Sequence, residues 1–215
     1  MSFLLFTEQS ATPSTPASQK VKKYFNNRPR PEQYAIDDNG VPYALMPVTN
    51  ASSVAVSAGY ATDTYLAGSS ITVPAGSWRV GQIYRCVFDM VKTANGTAAF
   101  TVNVRMGTLG TTGDASVLSL AFAVGTAAID TGVFDLQLVF RTVGAGTSAV
   151  VQGIIRCTHH LAATGLVTTG ASGTGIILGT SAGFASTTQT IIGISVNGGA
   201  SFSGTNTLVQ SELIG

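Results

Sequence analysis

A chain of 215 residues holds one domain of about 150 to 200 residues plus a tail, and only 10% of its positions are charged, against roughly 25% in soluble domains. The net charge of +1 excludes a general electrostatic attraction to nucleic acid or anionic membrane. The mean hydropathy is +0.34, yet no run of about 18 consecutive apolar residues exists to cross a bilayer as a helix. So little charge cannot coat a monomer of this apolar content, which predicts an oligomer.

In chain order, Phe3, Leu4, Leu5 and Phe6 form an apolar patch with no basic residue before it and Glu8 soon after. That is not the pattern of a secretory signal; it fits an arm that docks onto another protein. Six of the seven prolines lie between residues 7 and 47, at Pro13, Pro16, Pro29, Pro31, Pro42 and Pro47, and they forbid long helices there. Lys20, Lys22, Lys23, Arg28 and Arg30 crowd around Tyr24 and Phe25. Mixed charge and aromatics also occur in nucleic-acid segments, but Glu8, Glu32, Asp37 and Asp38 balance this cluster, so docking on an acidic protein surface is the preferred reading. Asp37, Asp38, Asn39 and Gly40 signal a turn, with Asn-Gly suited to a type I′ hairpin between Tyr34-Ala35-Ile36 and Val41-Pro42-Tyr43. Residues 1–49 therefore read as an extended arm carrying a short hairpin, and residues 50–215 as the folded domain.

Beyond residue 50 the pattern turns to period-2 alternation between Gly, Thr and Ser clusters, the mark of antiparallel sheet. Short strands are expected at 54–58 and 70–73. Tyr84, Cys86, Phe88 and Met90 share one strand face, and Phe100, Val102, Val104 and Met106 the next, with Asn95-Gly96 predicted to close a tight hairpin between them. Further faces are Leu118, Leu120 and Phe122; Phe134, Leu136, Leu138 and Phe140; Val151, Gly153, Ile155 and Cys157; and Ile192, Ile194 and Val196. A last strand spans 207–213. The Gly-, Thr-, Ala- and Ser-rich stretch 162–183 lacks clear alternation and predicts long loops, which would either line the three-fold axis of a trimer or form a flexible surface loop. No segment carries a sustained helical repeat with caps. The expected fold is all-β: a β-sandwich of eight or nine strands, of jelly-roll type, with a small barrel as the alternative.

Chemistry-bearing residues are few. His159 and His160 follow Cys157 closely, but neighbouring side chains on a strand point to opposite faces, and no second Cys or His cluster completes a ligand set, so no metal is expected. A strand-end or intersubunit hydrogen-bonding role is the better reading. Asp63, Asp89, Asp114, Asp130 and Asp135 could supply a glycosidase pair, yet nothing singles out two of them, and turn or solvated-face roles account for all five. No nucleophile elbow, phosphate loop or nicotinamide fingerprint is present, so neither catalysis nor a cofactor is expected. Cys86 and Cys157 both sit in strand-like runs and read as buried free thiols. Trp78, the only tryptophan, can anchor a sugar or a partner but more commonly caps a sandwich core.

Two stretches resemble bacteriophage head- or tail-fibre and capsid decoration proteins. The first runs from Thr7-Glu8-Gln9-Ser10 through Thr12-Pro13-Ser14-Thr15-Pro16-Ala17, Lys20-Val21 and Tyr24 to the Asp37-Asp38-Asn39-Gly40 turn, and is similar to their N-terminal attachment segment. Ser18-Gln19 stands where that pattern has a Gly, and 26–31 looks like an insertion. The second takes in Thr62-Asp63-Thr64-Tyr65-Leu66, Gly68-Ser69, Gly81, Tyr84-Arg85, residues 92–99 and Arg105-Met106-Gly107-Thr108 leading to Asp114; it resembles a β-rich virion domain and continues weakly to Ser211-Glu212-Leu213. The resemblance implies a homotrimer on the virion surface. The arm would bind the major capsid protein or another virion protein, with Phe3 to Phe6 in apolar grooves and the 20–30 cluster on acidic surface. Two roles follow: a capsid decoration or cement protein, or a fibre module presenting Trp78, Tyr60, Tyr65 or distal loops to a host surface glycan. One domain directly after the arm, without shaft repeats, favours decoration.

Overall fold

The structure is a computed structural model that describes residues 48–56, 59–93, 95–161, 165–168 and 173–215, together with the backbone of four short strands nearer the N-terminus. Those four are β1 (Glu8–Gln9), β2 (Lys22–Asn26), β3 (Gln33–Ile36) and β4 (Pro42–Ala44), which pair only with one another, in that order. The hairpin expected around Asp37 to Gly40 exists as the β3–β4 pair, but Ile36 lies opposite Pro42. This register leaves five residues between the strands, one slip away from a two-residue Asn-Gly loop, and the turn itself lies outside the described residues.

The remaining strands are β5 (Val48–Ser52), β6 (Thr64–Tyr65), β7 (Ile71–Val73), β8 (Ile83–Lys92), β9 (Ala99–Gly107), β10 (Ala115–Val124), β11 (Asp130–Thr142), β12 (Val150–His159), β13 (Thr174–Thr180), β14 (Thr190–Asn197), β15 (Gly204–Thr205) and β16 (Val209–Ile214). No helix occurs among the described residues. The strands form two antiparallel sheets packed face to face as a β-sandwich. One runs β10-β9-β14 and then β6 and β7, which share the free edge of β14; the other runs β13-β12-β11-β8-β16-β5, with β15 beside β16 on β8.

The pairing has a simple order. With β6 and β7 counted as one interrupted strand, β15 and β16 as another, and the β12–β13 hairpin set aside, eight strands remain. The first pairs with the eighth (β5–β16), the second with the seventh (β6/β7–β14), the third with the sixth (β8–β11) and the fourth with the fifth (β9–β10). At one flank the sheets meet, where the Ala182 amide donates to the Val117 carbonyl at 2.8 Å.

The alternating faces meet between the sheets as expected. Phe88 and Phe134 from one sheet stack at 4.8 Å between ring centroids; Phe100 and Phe122 of the other close on Phe134 at 4.8 and 5.6 Å. At the opposite end Trp78 stacks on Phe140 at 4.2 Å. Aromatic pairs in these geometries add about 0.5–1.5 kcal/mol each beyond the area they bury.

Three expectations fail, each for a physical reason. The connection through Asn95-Gly96 is not a hairpin, because β8 and β9 belong to different sheets. Gly96 is needed because a Cβ there would stand 2.6 Å from the Phe202 backbone. The first sandwich strand is 48–52 and not 54–58: Val54 is exposed and Val56 makes a lone bridge to Asn206. The stretch 162–183 is not all loop, since it contains β13, whose inward positions are Gly175, Ile177 and Gly179 opposite Cys157, Ile155 and Gly153. Two inward glycines erase the apolar alternation. Space decides them: a Cβ on Gly153 would lie 2.8 Å from Leu118 Cδ2, and one on Gly179 2.9 Å from Leu120 Cδ2.

Candidate functional site

A buried polar cluster lies at one end of the sandwich, on the last rungs of three neighbouring strands. Lys92 ends β8, Asp130 begins β11 opposite it, and His159 ends β12 opposite Gly132. Asp130 and His159 are wholly buried at their side chains, with His159 Nδ1 2.7 Å from Asp130 Oδ2. Asp130 also accepts the amides of Thr131 (2.8 Å), Leu161 (3.1 Å) and Leu166 (3.0 Å). A carboxylate with this set of donors is fully engaged, and it ties the chain beyond β12 to the start of β11. The expectation that Asp130 belongs to a turn or solvated face is therefore corrected. Asp114 is likewise buried, its carboxylate accepting the amides of Leu109 and Gly110 at 3.0 and 2.7 Å.

Lys92 is the cluster's cation. Its ammonium donates to the carbonyls of Thr126 and Gly165, the latter at 3.1 Å, and lies 5.8 Å from the centre of the Phe202 ring. Burial pushes its pKa below the ordinary lysine value, and the Asp130 charge pulls it back up. A surface pocket of about 460 Å³ opens beside these groups, lined by Val91, Thr93, Ile129, Thr131, His160 and Leu161 as well as Lys92 and Asp130. The thiol on the same inward face of β12, Cys157, is fully buried, and burial pushes it up to about 12. It stays a neutral thiol at physiological pH and is a poor nucleophile.

His159 and His160 do take opposite sides of the chain, one buried and one exposed. Among the described residues no group of three His, Cys, Asp or Glu side chains could hold a metal ion. Cys86 and Cys157 are buried and unpaired with each other, as expected.

A second polar network covers the outer face of the five-stranded sheet. Arg105 pairs with Asp63 and donates to Ser195 Oγ (3.0 Å), the Thr112 carbonyl (3.0 Å) and the Asp114 carbonyl (2.6 Å), while Asn103 donates to Asp63 at 3.0 Å. Tyr65 lies over Gly193, where any Cβ would collide with its hydroxyl, and burial pushes its pKa up to about 12. Asp89 does separate work: its carboxylate accepts the amides of Thr207 (2.8 Å) and Leu208 (2.7 Å) and the Asn206 side chain (3.0 Å), bridging the gap between β15 and β16.

Of the three aromatics considered for glycan contact, Trp78 and Tyr60 are core residues at 2% and 1% exposure, so neither offers a ring face to a ligand; Tyr65 is half-buried. Phe3, Leu4, Leu5, Phe6, Lys20, Arg28 and Arg30 lie outside the described residues, and Lys22, Lys23, Tyr24 and Phe25 are placed on β2 by backbone alone. The buried Lys92–Asp130–His159 cluster was missed, because Asp130 beside Thr131-Gly132 has the sequence signature of a turn. The available signal was register: a lysine at the end of one apolar strand and an aspartate at the start of another.

No protein-family model matches the sequence, and no curated protein matches it.

Proposed function

We propose that this protein is a non-enzymatic structural component of a bacteriophage particle, a capsid decoration protein held by the residues that precede β5 and assembled as a homotrimer through its sandwich. The likeness of the arm and of residues 62–114 to phage virion proteins suggests the setting, and the distribution of charge carries the reading. Residues 48–215 contain six acids (Asp63, Asp89, Asp114, Asp130, Asp135, Glu212) and six bases (Arg79, Arg85, Lys92, Arg105, Arg141, Arg156). Lys92, Asp114 and Asp130 are buried, and Arg85–Asp135 and Arg105–Asp63 form ion pairs. Little free charge is left to solvate the domain, a state that favours association.

The rolled pairing of first strand with last supports a jelly-roll reading, with β12–β13 as an added hairpin. Its polar clusters support a structural role: Asp130, Asp114, Asp89 and Arg105 each tie backbone to backbone or strand to strand. The burial of Trp78 and Tyr60 weighs against a glycan-binding fibre module.

Deletion of residues 1–30 tests the anchor. The truncated protein is expected to stay folded and trimeric while losing its binding to capsids. Undiminished capsid binding would overturn the anchoring role.

A further inference from the structure

The outer faces of the two sheets differ. That of the five-stranded sheet is laced by its own polar network, whereas that of the seven-stranded sheet exposes Ile176 (52%) and Leu178 (67%) on β13, with partly exposed Ile154 beside them on β12. Three to four strands away on the same face, roughly 14–19 Å at about 4.8 Å per strand, Arg85, Val87, Gln210 and Glu212 line a hollow of about 180 Å³. A cavity of about 150 Å³ takes a group the size of benzene, so this hollow accepts one aliphatic side chain.

The charges on this face sort in the same way. Arg156, exposed on β12, makes no ion pair among the described residues, while Glu212 at the hollow meets Arg85 only at 4.0 Å because Arg85 already holds Asp135 by two hydrogen bonds. One half of the face thus offers an apolar knob with a free cation, and the other a hollow with an underused carboxylate. With Arg85, Arg141, Arg156, Asp135, Glu212 and Asp89, the face holds three bases against three acids, and one of the acids is taken up by the 206–208 backbone and side chains. Such a face has no strong field to recruit a highly charged partner. It is complementary to a second copy of itself.

We propose that the β12–β13 half of one copy docks on the β8–β16 half of the next, with Leu178 entering the hollow and Arg156 pairing with Glu212. Knob and hollow are different patches, so the contact can run head to tail, and repeated about a three-fold axis it closes as a ring of three copies; the inference rests on the trimer reading.

The test is the solution mass of the full chain and its variants by light scattering, with circular dichroism as the check on folding. The unaltered protein is expected at about three times 21.9 kDa. Leu178→Asp alters an exposed side chain and is expected to reduce the mass to that of one chain with the β spectrum unchanged. Arg156→Glu is expected to weaken assembly at least tenfold in the concentration of half-dissociation, and Glu212→Arg added to it to restore most of the loss. A trimeric Leu178→Asp variant would overturn this interface while leaving the trimer standing. Failure of Glu212→Arg to rescue Arg156→Glu would overturn the ion pair. A monomeric unaltered protein would overturn both the interface and the trimer.

Discussion

His159 Nδ1 lies 2.7 Å from Asp130 Oδ2, with both side chains wholly shut off from solvent, and the same carboxylate accepts three backbone amides. The pair joins the end of β12 to the start of β11 and fixes the chain that follows β12. Removing one partner from such a site leaves buried groups unpaired, at a cost of about 3–5 kcal/mol. Asp130→Ala is expected to lose stability of that size in urea denaturation, and Asp130→Asn, which keeps the shape and some of the acceptors, clearly less. A loss below about 1 kcal/mol, the size of an ordinary hydrogen bond, would contradict this account of the cluster.

Gly153 and Leu118 occupy one space. A Cβ at residue 153 would lie 2.8 Å from Leu118 Cδ2 and 2.9 Å from Leu138 Cδ2, both in the core. Gly153→Ala is expected to cost about 1–3 kcal/mol as an overpacking substitution. Combined with Leu118→Ala it should cost less than the sum of the two single changes, because the second removes the obstacle created by the first. Strict additivity in the double-mutant cycle would show that the two positions do not touch.

The buried acids predict an alkaline limit. Burial raises Cys86 and Cys157 from 9.0 to about 12, and Tyr60 and Tyr65 from 10.0 to about 12. All four are neutral when protonated, so their contribution is fully present below the unfolded values. It is lost as pH rises from about 9 towards 12, because the unfolded chain ionises first. Stability measured against pH should fall over that window. The native thiols should resist alkylation at pH 8 and react once the chain is unfolded. Rapid labelling of both cysteines in the folded protein would contradict their burial.

The strand faces were legible in the sequence because a period of two on a half-buried sheet leaves its mark in residue type. Phe134, Leu136, Leu138 and Phe140 are all fully buried, as that period requires. Which sheet each strand joins was not legible, since alternation is the same in either; the Asn95-Gly96 signal suggested a hairpin where the chain crosses between sheets. β13 was hidden because its inward face is two glycines and one isoleucine. The Lys92–Asp130–His159 cluster was hidden because its members are far apart in sequence, and only the β8–β11–β12 register brings them together.

Trp78 reports on the core directly. Stacked on Phe140 at 2% exposure, it is expected to fluoresce at short wavelength and to resist quenching by acrylamide until the protein unfolds. Ready quenching in the folded state would return Trp78 to the surface and with it the case for glycan contact.

The central claim is a structural role on the phage head, and electron cryomicroscopy of the particle at subunit resolution tests it most directly. The account predicts many symmetric copies of this chain on the capsid, in three-fold clusters, each sandwich projecting outward and each arm laid across the capsid subunits. A few copies confined to the tail, or none on the particle, would contradict it.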